Sequence, residues 1–230
     1  MLGTRYKWAA AFCAIALFFF IASRASASEV VGTIVLKKNL IKEPVNAGVY
    51  DLRGAVTTAK SSKQVHGPFG RVAVWLEPSA PMATAPKQPE MRQAGRRFDP
   101  DFLVIPVGST VDFPNLDPIF HNIFSLSHSK AFDLGYYPEG KSRSVQFSTP
   151  GVVQVYCHIH ADMYGVIVVT PAAWSAIPAE DGSFSLTGVP PGQYRLAVWQ
   201  KTNGLTRKKV SVPGTGTVRI TVALPEESDD

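Results

Sequence analysis

The chain has 230 residues, with 23 Lys and Arg against 18 Asp and Glu, a formal net charge of +5 and 45% hydrophobic residues. That length allows one large or two small domains, and two cysteines are too few for a disulfide framework. Arg5, Lys7 and Arg24 all lie in the N-terminal stretch, so the remainder carries only about +2, a near-neutral balance that argues against a nucleic-acid binder.

In chain order, residues 1–27 read as an export signal. Arg5 and Lys7 give a basic start, Trp8 to Ile21 is almost wholly apolar, and Ala25-Ser26-Ala27 has the small-x-small form that places cleavage after Ala27. A retained anchor is the rival, but the apolar run is shorter than the roughly 20 residues a bilayer span needs, so no stable membrane span is expected. Cys13 lies in this run behind Phe12, a poor lipidation context, and should leave with the peptide. Cys157 is then a lone thiol in an exported chain: either inert in a core or kept for metal or redox chemistry.

Beyond residue 27 no segment keeps amphipathic helical periodicity over three turns; short β-rich runs between Gly, Pro, Asn and Asp dominate. Strands are predicted over Val30–Leu36, Val45–Tyr50, Arg71–Glu77, Phe102–Pro106, Thr110–Phe113, His121–Ser125, Arg143–Phe147, Val152–Cys157, Val166–Thr170, Ser183–Leu186, Gln193–Trp199, Leu205–Val212 and Thr217–Leu224. In the last, Val218, Ile220, Val222 and Leu224 share one face. Pro78, Pro81, Pro86 and Pro89 mark a stiff irregular stretch, and a second break falls near Pro171–Asp181. Glu226-Glu227-Ser228-Asp229-Asp230 reads as an acidic disordered tail. The pattern predicts β-sandwiches, not a parallel α/β sheet.

The chemistry concentrates in Cys157-His158-Ile159-His160-Ala161-Asp162-Met163. Alternation puts Val153, Val155 and Cys157 on the core side of their strand. A buried free cysteine is ordinarily a small hydrophobe. Here His160 and Met163 follow on a short loop, offering a thiolate, an imidazole and a thioether together. Such a soft mixed donor set, joined by one more histidine, makes a mononuclear copper site. His121 is the candidate: it opens a strand after the Pro114-Asn115-Leu116-Asp117-Pro118 turn. Zinc accepts Cys and His too, but its structural sites usually carry two or more cysteines. A binuclear copper centre needs a second cysteine, and a multicopper oxidase needs paired H-x-H motifs. A Cys157–His160–Asp162 catalytic line is disfavoured, since neighbours on a tight loop rarely align so. His158 should point away from Cys157 by alternation; His66 and His128 read as single surface histidines.

These two segments resemble the cupredoxin family, which includes plastocyanin, pseudoazurin and amicyanin, where a glycine-led strand, an Asn-rich turn and an His-Asn pair precede a Cys-loop-His-loop-Met hairpin. The resemblance covers roughly residues 92–170, and the Cys157/His160/Met163 spacing is similar to the short amicyanin-type loop. The chain is also similar to exported plastocyanin-like proteins often labelled methylamine-utilisation proteins. The resemblance implies His121 and His160 as imidazole ligands, Cys157 as the thiolate and Met163 as the weak axial ligand of one copper ion. It implies Asn122 as an amide tying the two ligand loops together, against an ordinary strand-start role.

Asp181-Gly182-Ser183-Phe184 through Tyr194-Arg195-Leu196-Ala197-Val198-Trp199 resembles the transthyretin-like or carboxypeptidase-regulatory-like β module, with its G-x-F strand, Pro-Gly turn and Y-x-L-x-V-W strand. At about fifty residues it is small for an independent sandwich. Gly32-Thr33-Ile34-Val35-Leu36 looks like the opening of the same fold, so a discontinuous second sandwich is expected. The expected organisation is a signal peptide at 1–27, an N-terminal β segment at 28–80 pairing with the C-terminal module, a Greek-key copper domain at 88–171, a transthyretin-like or Ig-like module at 177–225 and the tail at 226–230. Arg71–Glu77 could join either sandwich.

The functional expectation is an exported, periplasmic type 1 copper protein with no catalytic role, carrying single electrons between redox partners such as a cytochrome or a dehydrogenase. The alternatives are copper delivery or storage without electron transfer, and a non-redox scaffold or adhesion protein.

Overall fold

Two apolar runs, Val72-Ala73-Val74-Trp75-Leu76 and Val166-Ile167-Val168-Val169, organise the tertiary structure, because each is buried on both faces. A strand covered on one side alternates; one covered on both sides is a continuous hydrophobic run. The computed structural model describes residues 28–36, 69, 71–80, 82–201 and 203–224. The predicted signal, the predicted strand Val45–Tyr50, His66 and the acidic tail lie outside the described residues. Among the described residues there is no helix.

The strands are β1 (Ser28–Leu36), β2 (Val72–Pro78), β3 (Arg92–Gln93), β4 (Phe98–Asp99), β5 (Phe102–Pro106), β6 (Thr110–Pro114), β7 (His121–Ser127) and β8 (Lys130–Tyr137). They continue with β9 (Ser142–Gln146), β10 (Gly151–Cys157), β11 (Tyr164–Thr170), β12 (Ser175–Ala176), β13 (Ser183–Val189), β14 (Gly192–Gln200), β15 (Gly204–Val212) and β16 (Thr217–Leu224). β8 and the two-residue strands β3, β4 and β12 were not among the predicted ones.

The protein is all-β, as expected, and its layers stack. A three-stranded sheet β13-β1-β16 faces the four-stranded sheet β12-β2-β14-β15 across a core that includes Val30, Ile34, Val74, Leu76, Leu186, Leu196, Val210 and Val222. β1 runs antiparallel to β13 and parallel to β16. The pairing slips by one residue between Ser28 and Val30, where Gly188 takes a φ of 71° that side-chain-bearing residues avoid. β2 pairs with β14 over seven residues, so the Arg71–Glu77 segment belongs with the C-terminal strands, a choice periodicity could not make.

The other sandwich sets the five-stranded sheet β5-β11-β10-β7-β8 against the β6-β9 and β3-β4 pairs. Its core holds Ile105, Val111, Phe113, Ile123, Phe147, Val155 and Ile167, with Cys157 and Met163 at one end. β11 pairs in parallel with β5 and antiparallel with β10. A third apolar layer, Ala73, Trp75, Ala197, Phe102, Val166, Val168 and Ala172, joins the sandwiches face to face, and Phe102 stacks on Trp199 at 6.1 Å.

Candidate metal site

β7 and β10 are hydrogen-bonded neighbours, with Cys157 opposite Ile123. That register brings the start of β7 to the end of β10, and so His121 to Cys157. Two further bonds set the loops: the His158 amide donates to the Asn122 carbonyl (3.1 Å), and the Cys157 amide donates to the Met163 carbonyl (3.2 Å). Between them the Met163 amide donates to the His160 carbonyl at 3.0 Å, closing the residue 157–163 loop into a tight turn.

The result is a convergent donor group. Cys157 Sγ lies 3.5 Å from His121 Nδ1 and 3.5 Å from His160 Nδ1. The three ligand atoms all lie within 4.8 Å of one another. Sulfur and nitrogen bonded to one ion at about 2.3 and 2.05 Å, with angles between tetrahedral and trigonal, come to roughly 3.5–3.8 Å apart. Both sulfur–nitrogen spacings therefore fit a single metal ion. His121 is fully buried, Cys157 is 5% exposed, and His160 is half-buried. Burial holds the His160 pKa below the ordinary imidazole range, and the nearby His121 and Arg96 add to this against the opposing Asp117. Its ring is thus neutral near pH 7, with a lone pair free for a metal.

Met163 is 1% exposed and packs in the core that contains Cys157. His158 turns outward, where it stacks at 6.4 Å on Tyr136 and sits 5.6 Å from Phe124, as alternation predicts. Asp162 is exposed and forms no part of the donor group. His128 is exposed in the β7–β8 turn.

Asn122 departs from the expectation. Its amide donates to Asp133 Oδ1 on β8 at 2.9 Å instead of reaching the ligand loop, and its Oδ1 is buried without a protein partner. The tie between the loops is made by its backbone carbonyl. The reason is geometric: next to His121 on a strand, its side chain faces the opposite side of the sheet.

Two residues that the sequence reading treated only as turn formers shape the site. Asn115 is fully buried; its Nδ2 donates to the carbonyls of Ile119 (2.8 Å) and Tyr137 (3.1 Å), and its Oδ1 accepts from the Asp117 amide (3.0 Å). Asn115 thus folds the 115–120 turn that delivers His121. Asp117 lies 2.9 Å from His121 Nε2 through Oδ2. Burial opposes ionisation of this carboxylate, but hydrogen bonds from the Arg96 and Gly95 amides and from His121 outweigh it and lower its pKa. The only advance signal was an Asn-x-Asp pair, common in any turn.

Beneath the site, Tyr137 donates to the Phe113 carbonyl (2.8 Å) and accepts from Gln93 Nε2 (2.7 Å). Burial pushes the Tyr137 phenol well above its ordinary pKa.

No family model matches the chain, and no curated protein matches it. Solved structures do overlap it. A Cu-containing nitrite reductase from Thermus scotoductus SA-01 is 27% identical over 39% of this chain, with a TM-score of 0.34; the match spans 23% of the reductase. A reduced mutant of amicyanin is 23% identical, covering 35% of this chain and 80% of its own, with a TM-score of 0.34. A purple cupredoxin from Nitrosopumilus maritimus is 31% identical, covering 34% of this chain and 85% of its own, with a TM-score of 0.30.

Proposed function

We propose that the protein is a mononuclear copper protein that carries single electrons, with His121, Cys157 and His160 as the equatorial donors and Met163 as the weak axial one. The observation that carries this reading is the convergence of two imidazole Nδ1 atoms on one thiol, each at a sulfur–nitrogen spacing that one ion can bridge. Copper bound there would supply a Cu(I)/Cu(II) couple, for which a trigonal S/N/N set with a long thioether suits both oxidation states.

The chain's own groups favour a carrier over a delivery protein. Delivery by ligand exchange needs accessible donors, whereas the sulfur and His121 are buried and only His160 meets solvent. The hydrogen-bonded loops hold the donors in place, which keeps reorganisation small when the charge changes. Met163, Ile123 and Tyr137 keep water from the inner side. Leu116, Phe120 and Ile159 are exposed on the two loops that present the ligands, and an apolar rim beside a half-exposed imidazole suits brief docking of a redox protein such as a cytochrome or dehydrogenase. The basic, apolar and small-residue order of the N-terminal sequence supports export, with a periplasmic setting for such partners. The Cys-x2-His-x2-Met spacing favours the amicyanin-type variant.

The test is optical and electrochemical. The full mature chain titrated with Cu(II) should bind one equivalent and develop an intense visible thiolate-to-copper band, with reversible one-electron voltammetry. Cys157→Ser should remove the band. Binding with the band but without reversible voltammetry would indicate storage or delivery, and no band at all would sink the copper assignment.

A further inference from the structure

A chain of contacts links a strained turn to the metal donors. Ala94 to Arg97 form the β3–β4 hairpin turn, closed by the Ala94 amide on the Arg97 carbonyl at 3.0 Å. Both central residues are left-handed, Gly95 at φ 63° and Arg96 at φ 57°. Such a conformation is cost-free for glycine and unfavourable for arginine. It aims two successive amides at one carboxylate: Gly95 N–H donates to Asp117 Oδ1 (2.6 Å) and Arg96 N–H to Oδ2 (2.8 Å). Asp117 is 7% exposed, and its own amide is held by Asn115. Oδ2 also meets His121 Nε2 at 2.9 Å, while the opposite ring nitrogen, Nδ1, faces Cys157 Sγ.

We infer that Asp117 is a positioning residue for the metal site: pinned by the Gly95 and Arg96 amides, it holds the His121 ring proton on Nε2 and leaves the Nδ1 lone pair for the metal. An ionised carboxylate only accepts hydrogen bonds, so the ring nitrogen facing it must be the one that carries hydrogen. The negative charge also makes the imidazole a stronger donor, as carboxylates behind metal-bound histidines do. The benefit is larger for a dication than for a monocation, so Asp117 should favour Cu(II) over Cu(I) and lower the reduction potential. A bare turn-capping role would account for the amide bonds to Asp117, but not for the oxygen shared with the ring.

This inference rests on His121 being a metal donor, and its test has two arms. In the metal-free wild-type chain, ¹⁵N-resolved imidazole NMR near pH 7 should show His121 protonated on Nε2; a proton on Nδ1 overturns the inference without any variant. In the second arm, Asp117→Asn, checked as folded by its amide spectrum, should bind Cu(II) about 10- to 100-fold more weakly, with a smaller loss for Cu(I). Each tenfold change in the ratio of the two affinities raises the potential by 59 mV. An unchanged ratio in the folded variant overturns the inference. Should the variant fail to fold, the wild-type tautomer decides. Absence of the charge-transfer band in the wild type defeats the copper reading instead, and the metal-free tautomer still tests Asp117.

Discussion

The two sandwiches solve the same packing problem with different interiors. Between β13-β1-β16 and β12-β2-β14-β15 the core is aliphatic and aromatic; its buried phenol, Tyr194, donates to the Pro190 carbonyl at 2.9 Å, and Ser28 and Glu77 are the buried polar residues on these strands among the described residues. The other sandwich buries Gln93, Ser109, Asn115, Asp117, His121 and Asn122 along with its apolar residues. Buried polar groups need partners to offset lost hydration, and here most have them: Asn115 serves three backbone groups, and Asp117 serves two amides and a ring. Gln93 Oε1 and Asn122 Oδ1 lack one. The contrast teaches that one sandwich is filled mainly by apolar packing, while the other gives up part of its packing to polar groups that bring one thiol and two imidazoles together.

The largest expected effect tests whether that division holds. Leu196 is buried in the aliphatic core, and Leu196→Ala should cost about 2–5 kcal/mol in denaturant unfolding. The visible spectrum of the copper-loaded protein should be unchanged; a shifted band would show that the site depends on the packing of the distant core.

A smaller effect probes the layer between the sandwiches. Trp199→Ala removes the stack on Phe102 and should cost about 1–3 kcal/mol. Calorimetry should then resolve two transitions where the wild type shows one. A single transition, unchanged in position, would mean the apolar layer contributes little coupling.

The smallest effect sharpens the polar side. Tyr137→Phe deletes a buried donor to the Phe113 carbonyl and should cost about 1 kcal/mol at pH 7. The Tyr137 pKa is raised in the folded state, so its stabilisation is complete below the unfolded phenol pKa of about 10 and is lost as pH rises toward the folded value. At about 1.4 kcal/mol per pH unit, the wild-type advantage should vanish near pH 11. Urea unfolding of both proteins from pH 8 to 11 checks this; a gap that stays constant refutes the role assigned to burial.

Much of the fold was legible because most strands obey a one-sided rule. β16 was predicted at its observed bounds, and its inward set, Val218, Ile220, Val222 and Leu224, is the more buried one. β8 escaped prediction because little of it is fully buried and Gly135, at φ 63°, interrupts it; a half-exposed strand has no strong period to read. Strands β3, β4 and β12 span two residues each and carry no periodicity at all.

At the site, donor identity was local and donor support was not. Cys157, His160 and Met163 stand together by spacing within one loop, and the resemblance to the cupredoxin family pointed to them and to His121 as candidate donors. The sequence by itself therefore determined the all-β class, the inward faces of the strong strands and the residues able to offer sulfur and imidazole. Only the tertiary structure decided that β2 joins β14, that Asn122 turns to Asp133, and that Asp117 stands between a left-handed turn and the His121 ring. Periodicity and spacing report which way a side chain faces along its own strand. Partner strands and hydrogen bonds between remote loops depend on which surfaces meet once the layers have packed.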